Sequence, residues 1–374
     1  MNNNSNSLPF LSASAVGSDV QELVNLCLRD IGEPDPRYTL GFIYVSDALF
    51  NQLPRLQSLL SSTTGIEHWC GTLATAVCCN DQEYYDQPAL SLLLCPLEIT
   101  DYCFIHSDPS KNKLLTPPGD FAAVAGIVHA DPSNPETPSL LKKCGRLGNE
   151  LLLAGGLTHS QTKQLQILND SQVLGLSGIL FNNSVNILCD YTQGCSPIGE
   201  VHTITDSHNN FIKQINGQPA LDVLREDIGE VLARDMTRLG GYVYAGLLRQ
   251  NEAEPNYMIR DLLAIDENSQ ALVISDTINT GDQIVFCRRD GNSASNDLDK
   301  MLDRVTQRLD GRKARGALYH SCIERGRSLF GNNSQELKRI QNALSGVPLS
   351  GFFASGEIYH SKLYTHTGVL TLFL

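Results

Sequence analysis

The chain has 374 residues, is 41% hydrophobic and carries a formal net charge of −13, a composition that supports a buried core and excludes pervasive disorder. That acidity, with no dense run of Lys and Arg, excludes a nucleic-acid partner, whose phosphates are held by clustered cations. Met1 to Ser7 lack the basic and apolar regions of a signal peptide, and no stretch nears the ~20 apolar residues of a membrane helix, so the expectation is a cytoplasmic protein without membrane insertion.

A disordered tail over 1–17 is followed by a helix over 18–31, with Ser18 and Gln21 as a capping box and Val20, Leu23, Val24, Cys27, Leu28 and Ile31 on one face. After Pro34 and Pro36, Thr39 to Val45 reads as a strand rich in β-branched and aromatic residues, and Leu53, Leu56, Leu59 and Leu60 form a second helical face. Ile66 to Val77 and Ala89 to Leu97 are short apolar runs bounded by turn residues, hence strands. Between Asp108 and Pro138, six prolines (109, 117, 118, 132, 135 and 138) exclude one long helix but leave room for a strand over Ala122 to Val128. Leu151 to Gly156 closes the first half.

The second half opens on Val173 to Phe181 and Val185 to Tyr191, which the Asn182-Asn183 pair predicts to be a β-hairpin. Phe211 to Ile215 then leads through an Asn216-Gly217 turn to a helix entered at Pro219. Strands follow near Tyr242–Leu248, Leu262–Ile265, Ala271–Ile274 and Gln283–Cys287. A helix with Leu298, Met301, Leu302, Val305 and Leu309 on one face stops at Gly311. The chain ends with a strand over Ala314 to Tyr319, a helix over Ser334 to Leu344, and strands over Val347 to Phe353 and Gly368 to Phe373. No short-period repeat is visible, and both halves mix helices and strands.

Known catalytic templates fail at definite places. Gly-x-Ser-x-Gly, the phosphate-binding glycine loops and Cys-x-x-Cys are all absent. The eleven cysteines sit in apolar segments, as buried reduced thiols do, and the adjacent Cys78 and Cys79 cannot easily aim both sulfurs at one metal. The histidine pairs 202/208 and 360/366 do not have metalloprotease spacing. Three glycine-bearing segments at strand ends remain: Gln193 to Gly199, Ser321 to Gly326 and Gly351 to Glu357. Arg325 and Glu357 in two of them either sit in a mutual or neighbouring salt bridge at a domain edge or serve as a fork and an acceptor for a zwitterionic ligand. Arg260-Asp261 and Arg289-Asp290 pose the same choice, with a structural role favoured.

These segments resemble the FIST family, the sensory domains of F-box and intracellular signal transduction proteins. The resemblance rests on Gln193 to Gly199, Ile215 to Leu221, Arg260-Asp261-Leu262-Leu263, Arg289-Asp290, Cys322 with Arg325-Gly326, and Gly351 to Glu357. The chain departs from the family near Ala76, where a glycine is expected, and at Thr365, where an asparagine is expected. The resemblance implies a mixed α/β fold of two similar-sized modules, 18–176 and 177–374, with flanking helices and a ligand cavity between them or at the strand ends. It further implies a sensor that binds a small molecule, an amino acid or a derivative, without an obligatory cofactor, through Cys195, Cys322, Arg325, Gly356 and Glu357. Occupancy would be relayed to a separate signalling protein such as a kinase or cyclase. The alternatives are a haem-binding nitric oxide sensor and, from another class, a thiol hydrolase using Cys195 or Cys322.

Overall fold

The structure, a computed structural model, describes residues 8–108, 113–115, 119, 121–148, 151–234, 236, 239–248 and 257–374. Met1 to Ser7 and three of the prolines noted above, Pro109, Pro117 and Pro118, lie outside them. The chain divides into two compact units, residues 1–192 with 300–374, and residues 193–299. The expected mixed α/β class is observed.

The first unit uses one arrangement three times. In the first repeat a strand β1 (Leu11–Val16) leads to helix α1 (Val20–Ile31), β2 (Leu40–Ser46), α2 (Leu53–Thr64) and β3 (His68–Ala74). A hairpin, β4 (Ala76–Cys79) and β5 (Gln82–Tyr85), and a closing strand β6 (Ala89–Cys95) complete it. The second repeat runs β7 (Tyr102–Asp108), β8 (Lys113–Leu115), β9 (Ala125–Ala130), α3 (Thr137–Gly145), β10 (Leu152–Leu157), the hairpin β11 (Leu165–Leu168) and β12 (Ser171–Leu174), and β13 (Leu176–Phe181). The third begins at β14 (Ile187–Thr192) and is interrupted by the second unit.

That unit holds β15 (Ser196–Pro197), β16 (His202–His208), β17 (Phe211–Ile215), β18 (Gln218–Pro219), α4 (Ala220–Ala233), β19 (Val243–Leu248), β20 (Tyr257–Asp266), β21 (Ala271–Ile274) and β22 (Gln283–Arg288). β22 pairs with both β16 and β19, so six antiparallel strands close into a barrel in the order β22-β16-β17-β21-β20-β19. Ile212, Ile215, Ala245, Leu272 and Phe286 pack with Ala220, Leu221 and Leu224 of α4 in one core. The expected Asn216-Gly217 turn is present with both residues at positive φ, 52° and 77°.

The third repeat resumes through α5 (Gly291–Leu309), β23 (Gly316–Cys322), α6 (Gly326–Phe330), α7 (Gln335–Ala343), β24 (Leu349–Ala354), the hairpin β25 (Glu357–Tyr359) and β26 (Lys362–Tyr364), and β27 (Gly368–Phe373). Each repeat builds a sheet around one parallel pair, β2/β3, β9/β10 or β23/β24. The outer side of each pair is then filled by another repeat's hairpin. β11-β12 joins the first sheet, β25-β26 the second and β4-β5 the third. The exchange is cyclic, so no repeat completes its own sheet.

Side chains alternate across these strands. One face of the first sheet packs under α1 and α2, where Val20, Leu23, Val24 and Cys27 of α1 are buried. The other faces inward, where all three sheets contribute Tyr44, Cys70, Ile127, Ile179, Leu318, Phe352 and Phe373 to one core. Tyr44, His129 and His320 hold the fifth position of β2, β9 and β23 and are fully buried. Their ring centroids lie 5.6, 5.9 and 5.8 Å apart, a nearly equilateral triangle on a pseudo-threefold axis. The Tyr44 hydroxyl bonds Nε2 of His320 at 2.9 Å and Nε2 of His129 at 3.3 Å, and Nδ1 of His129 meets the Cys70 thiol at 3.7 Å. Nδ1 of His320 has no partner among the described residues. The pseudo-symmetry explains this: the position equivalent to Cys70 that faces His320 is Ala154, which carries no polar atom.

Several expectations need correction. Leu11–Val16 is a paired strand and not part of a tail, in register with β6 from Leu11↔Leu94 to Val16↔Ala89. Its small residues concealed it, since Ser12 and Ser14 bond Asn80 and Tyr84 instead of burying bulk. The cap of α1 is Asp19, whose carboxylate accepts from the backbone of Gln21 and Glu22, and not Ser18. The run from Ile66 to Val77 is two strands in different sheets. The expected hairpin at Asn182-Asn183 does not form: β13 pairs with β7 and β9, whereas β14 pairs with β27. Asn182 instead accepts from Ser184 N–H at 2.9 Å in an Asx turn. A repeat does exist, at the level of topology.

Two predictions follow from this architecture. Gly71, Gly155 and Gly351 are equivalent, and a Cβ on each would lie 1.6, 1.9 and 1.8 Å from the carbonyl oxygen of Ile43, Val128 and Tyr319. Gly71→Ala is expected to destabilise the protein at or above the top of the ~1–3 kcal/mol range of overpacking; a loss under ~1 kcal/mol in a denaturant melt would contradict the close approach. Burial also holds His129 well below the usual histidine range and His320 at about 3. The unfolded chain then binds protons that the folded chain refuses, and stability is lost as pH falls below ~6.5. Because other groups cancel in the comparison, the stability of the wild type minus that of His320→Gln should fall by about 1.4 kcal/mol per pH unit between roughly pH 6 and 4. A flat difference in chemical denaturation would exclude this.

Candidate functional site

The parallel pair β23/β24 carries two of the glycine-bearing loops at its carboxyl ends, the place where α/β sheets bind ligands. Cys322 ends β23 and faces inward, as His320 does two residues earlier, while Arg325 caps α6 and Gly356-Glu357 opens β25. The structure therefore brings Cys322, Arg325, Gly356 and Glu357 together within the first unit. Cys195 lies in the second unit, buried with Tyr244, Ile259, Val285 and Cys287 on the outer face of the barrel strands.

Arg325 is fully buried, and its carboxylate partner is Glu336 of α7. Nη2 and Nε approach Glu336 Oε1 at 2.7 and 2.8 Å. The same carboxylate accepts from Tyr319 Oη at 2.7 Å, Gly326 N–H at 3.0 Å and Ser321 Oγ at 3.3 Å. Arg325 Nη1 donates to the carbonyls of Thr192 and His366, and the guanidinium lies over Phe330, 5.2 Å from its centroid. Of the mutual and neighbouring salt bridges considered for Arg325, the structure gives the neighbouring one, a dense ion pair with Glu336 that fixes the 322–326 loop. Sequence reasoning missed Glu336 because a Glu in the first turn of a helix ordinarily faces solvent; the available signal was its place beside the inward Leu337.

Glu357 is different. It is fully buried opposite Gly156 of β10, and its Oε2 accepts from Thr367 N–H at 2.9 Å. Oε1 has no hydrogen-bond partner among the described residues. Burial pushes its pKa well above the usual carboxylate range, the neighbouring Cys322 adds to the rise, and His366 and Arg325 act against it. Burial therefore favours the protonated acid over the carboxylate, and in that form Oε1 can donate as well as accept. Beside it the Gly356 carbonyl accepts from Leu157 N–H at 2.8 Å.

The other candidates have local contacts or are buried. His202 bonds Asp227 and Asn216, Arg260 pairs with Asp276 at 2.8 Å, and Arg289 is buried. His360 lies 4.5 Å from the Tyr359 ring, and His366 Nδ1 is 2.9 Å from Glu324 Oε2. Among the described residues all eleven cysteines are free thiols and no cluster of His, Cys, Asp and Glu is placed to hold a metal; no described helix is long and apolar enough to cross a membrane.

Removing one partner of a buried ion pair strands the other charge, so Arg325→Ala and Glu336→Gln should each cost about 3–5 kcal/mol. Arg325→Met with Glu336→Leu should recover much of that loss. Equal melts for wild type and Arg325→Ala would show that the pair does not fix the loop.

The FIST N domain model matches residues 39–218 and the FIST C domain model residues 220–360. These limits meet near β18, whereas the compact units divide after Thr192 and Asp299. An uncharacterised protein of Mycobacterium tuberculosis is 30% identical over 291 residues, covering 74% of this chain and 71% of the relative. An uncharacterised protein of Mycobacterium bovis is 29% identical over 332 residues, covering 81% and 82%. The motifs, the two successive domain matches and these relatives agree, and the chain belongs to the FIST family, whose domains are associated with sensory and signal-transduction roles.

Proposed function

We propose that this protein is a sensor whose first unit binds a small polar molecule at Glu357 and relays occupancy to a separate signalling protein. The observation that supports this most is the unpartnered Oε1 of a fully buried carboxyl group whose ionised form burial disfavours. Leaving such a group without a partner costs about 1–3 kcal/mol, which a ligand offering a complementary hydrogen bond would recover. Cys322 and Gly356 are neighbours of Glu357.

The ion pair with Glu336 refines the ligand chemistry. Arg325 is already neutralised and cannot serve as a carboxylate fork without breaking Glu336 away, so recognition falls to Glu357. An amine or amide of an amino acid derivative supplies the matching donor. A charged ammonium would also favour the ionised carboxylate and release its proton at neutral pH. Ligand would bias the equilibrium between conformations to the extent that it binds one of them better.

The test is a thermal-stability screen against the standard amino acids, their amides and simple amines. A ligand at ~100 times its Kd should add about 2.7 kcal/mol. Glu357→Gln should weaken an ammonium ligand by tenfold or more while keeping the fold, because it removes the ionisable group. If every responding compound stabilises wild type and Glu357→Gln equally, the site is elsewhere.

A further inference from the structure

Two residues before Glu357 in the chain, Ser355 makes a contact that the small-molecule reading does not use. Its Oγ lies 2.8 Å from Nδ1 of His159. Both side chains are half-buried, so a reagent can reach them, unlike the axial histidines. The backbone that carries the imidazole is fixed, since His159 O accepts from Thr75 N–H at 2.7 Å and the residue bridges to Ala74 at the end of β3. Thr75 itself has a buried hydroxyl without a partner. Asp47 acts electrostatically on the ring and is anchored by Gln161 N–H at 2.7 Å.

We infer that Ser355 and His159 form a nucleophile and general-base pair that accepts acyl esters. Ser355 stands where a strand ends and a short turn begins, as a nucleophile must to be approached. His159 is neutral at neutral pH, because burial holds its pKa below the usual value against the opposing pull of Asp47. It can therefore take a proton. Ser355 Oγ adds to the ester carbonyl carbon as Nδ1 accepts its proton. The C–O bond to the leaving group then breaks, and the departing oxygen takes the electron pair and that proton. Water, deprotonated by Nδ1, adds to the acyl-serine; the Oγ–acyl bond breaks, Oγ recovers the proton and the free acid leaves.

One competing proton arrangement exists. Ser355 Oγ is also 3.1 Å from Thr158 O, and a hydroxyl has a single proton to give. If Nδ1 carries the hydrogen and Ser355 donates to Thr158, the contact only braces the two loops.

A fluorophosphonate probe separates the two, because it phosphonylates a serine only when a base activates it. Full-length protein is treated with the probe and the adduct located by peptide mass spectrometry, alongside hydrolysis of p-nitrophenyl acetate. The expected result is an adduct on Ser355, abolished in Ser355→Ala and slowed about 10²-fold or more in His159→Gln. Melts of both variants are compared with the wild type, and the pH dependence of labelling adds a readout that bracing would not move. The wild-type rate should climb with pH through an ionisation below ~6.5 that is absent in His159→Gln. No adduct on a folded wild-type protein, or labelling indifferent to His159, would overturn the assignment. The assay contains no ligand for Glu357, so its failure leaves the small-molecule reading untouched.

Discussion

The structure of the first unit depends on the exchange of hairpins among three sheets. Each central parallel pair needs a neighbour on its open side, and the hairpin that supplies it always comes from a different repeat. Val77 pairs with Phe352, Gln166 with Thr72 and Glu357 with Gly156. The first of these joins opposite ends of the chain, so this unit cannot be assembled by local contacts in sequence order. The same exchange forces Tyr44, His129 and His320 onto one axis, where a hydrogen-bonded run from Cys70 to His320 crosses all three sheets.

The exchange also explains why the candidate site is on one corner only. Val77, Gln166 and Glu357 are equivalent positions in the three hairpins. The first is apolar, the second is an amide bonded through Nε2 to Thr158 and the Gln164 carbonyl, and the third is an acid. The third repeat also replaces the link from its first strand to its helix with the whole second unit, residues 193–299. The repeat with the largest departure from the common plan thus holds Cys322, Arg325, Glu336 and Glu357, with His159 contributed by the second repeat.

Much of the local structure was legible from sequence. Short, continuous apolar runs identified β2, β6 and β27, which are buried along their whole length, and the stripes of α1 and α7 identified those helices, whose burial has the helical period. The Asn216-Gly217 turn was legible for the same local reason. What could not be read was pairing. Nothing in Val173 to Tyr191 states that β13 and β14 find partners in different sheets, so a turn-like Asn182-Asn183 was taken for a hairpin. The three repeats share topology and the glycines 71, 155 and 351, but their key axial residues differ as Tyr, His and His. At the site, the strand-end glycines, Arg325 and Glu357 were visible, whereas Glu336 was hidden because only the tertiary fold turns it inward.

Four buried polar atoms without partners lie in the inward-facing layer, and they do not have the same origin: Gln166 Oε1, Ser177 Oγ, His320 Nδ1 and Glu357 Oε1. Ser91, the equivalent of Ser177, bonds Ser350 at 2.7 Å, but the residue corresponding to Ser350 for Ser177 is Cys70, which His129 engages. His320 fails where Ala154 replaces Cys70, and Gln166 is still held through its nitrogen. These three are residues of an imperfect symmetry, neutral groups whose unmet bonds cost about 1–3 kcal/mol each. Glu357 has no such account. A glutamine or valine fits the equivalent positions, so the packing does not require an acid there, and burying one raises its pKa, which costs stability as pH rises above the ordinary carboxylate value. The fold does not need this expense, and this is why the proposed site is centred on Glu357 and not on any other buried polar group in the layer.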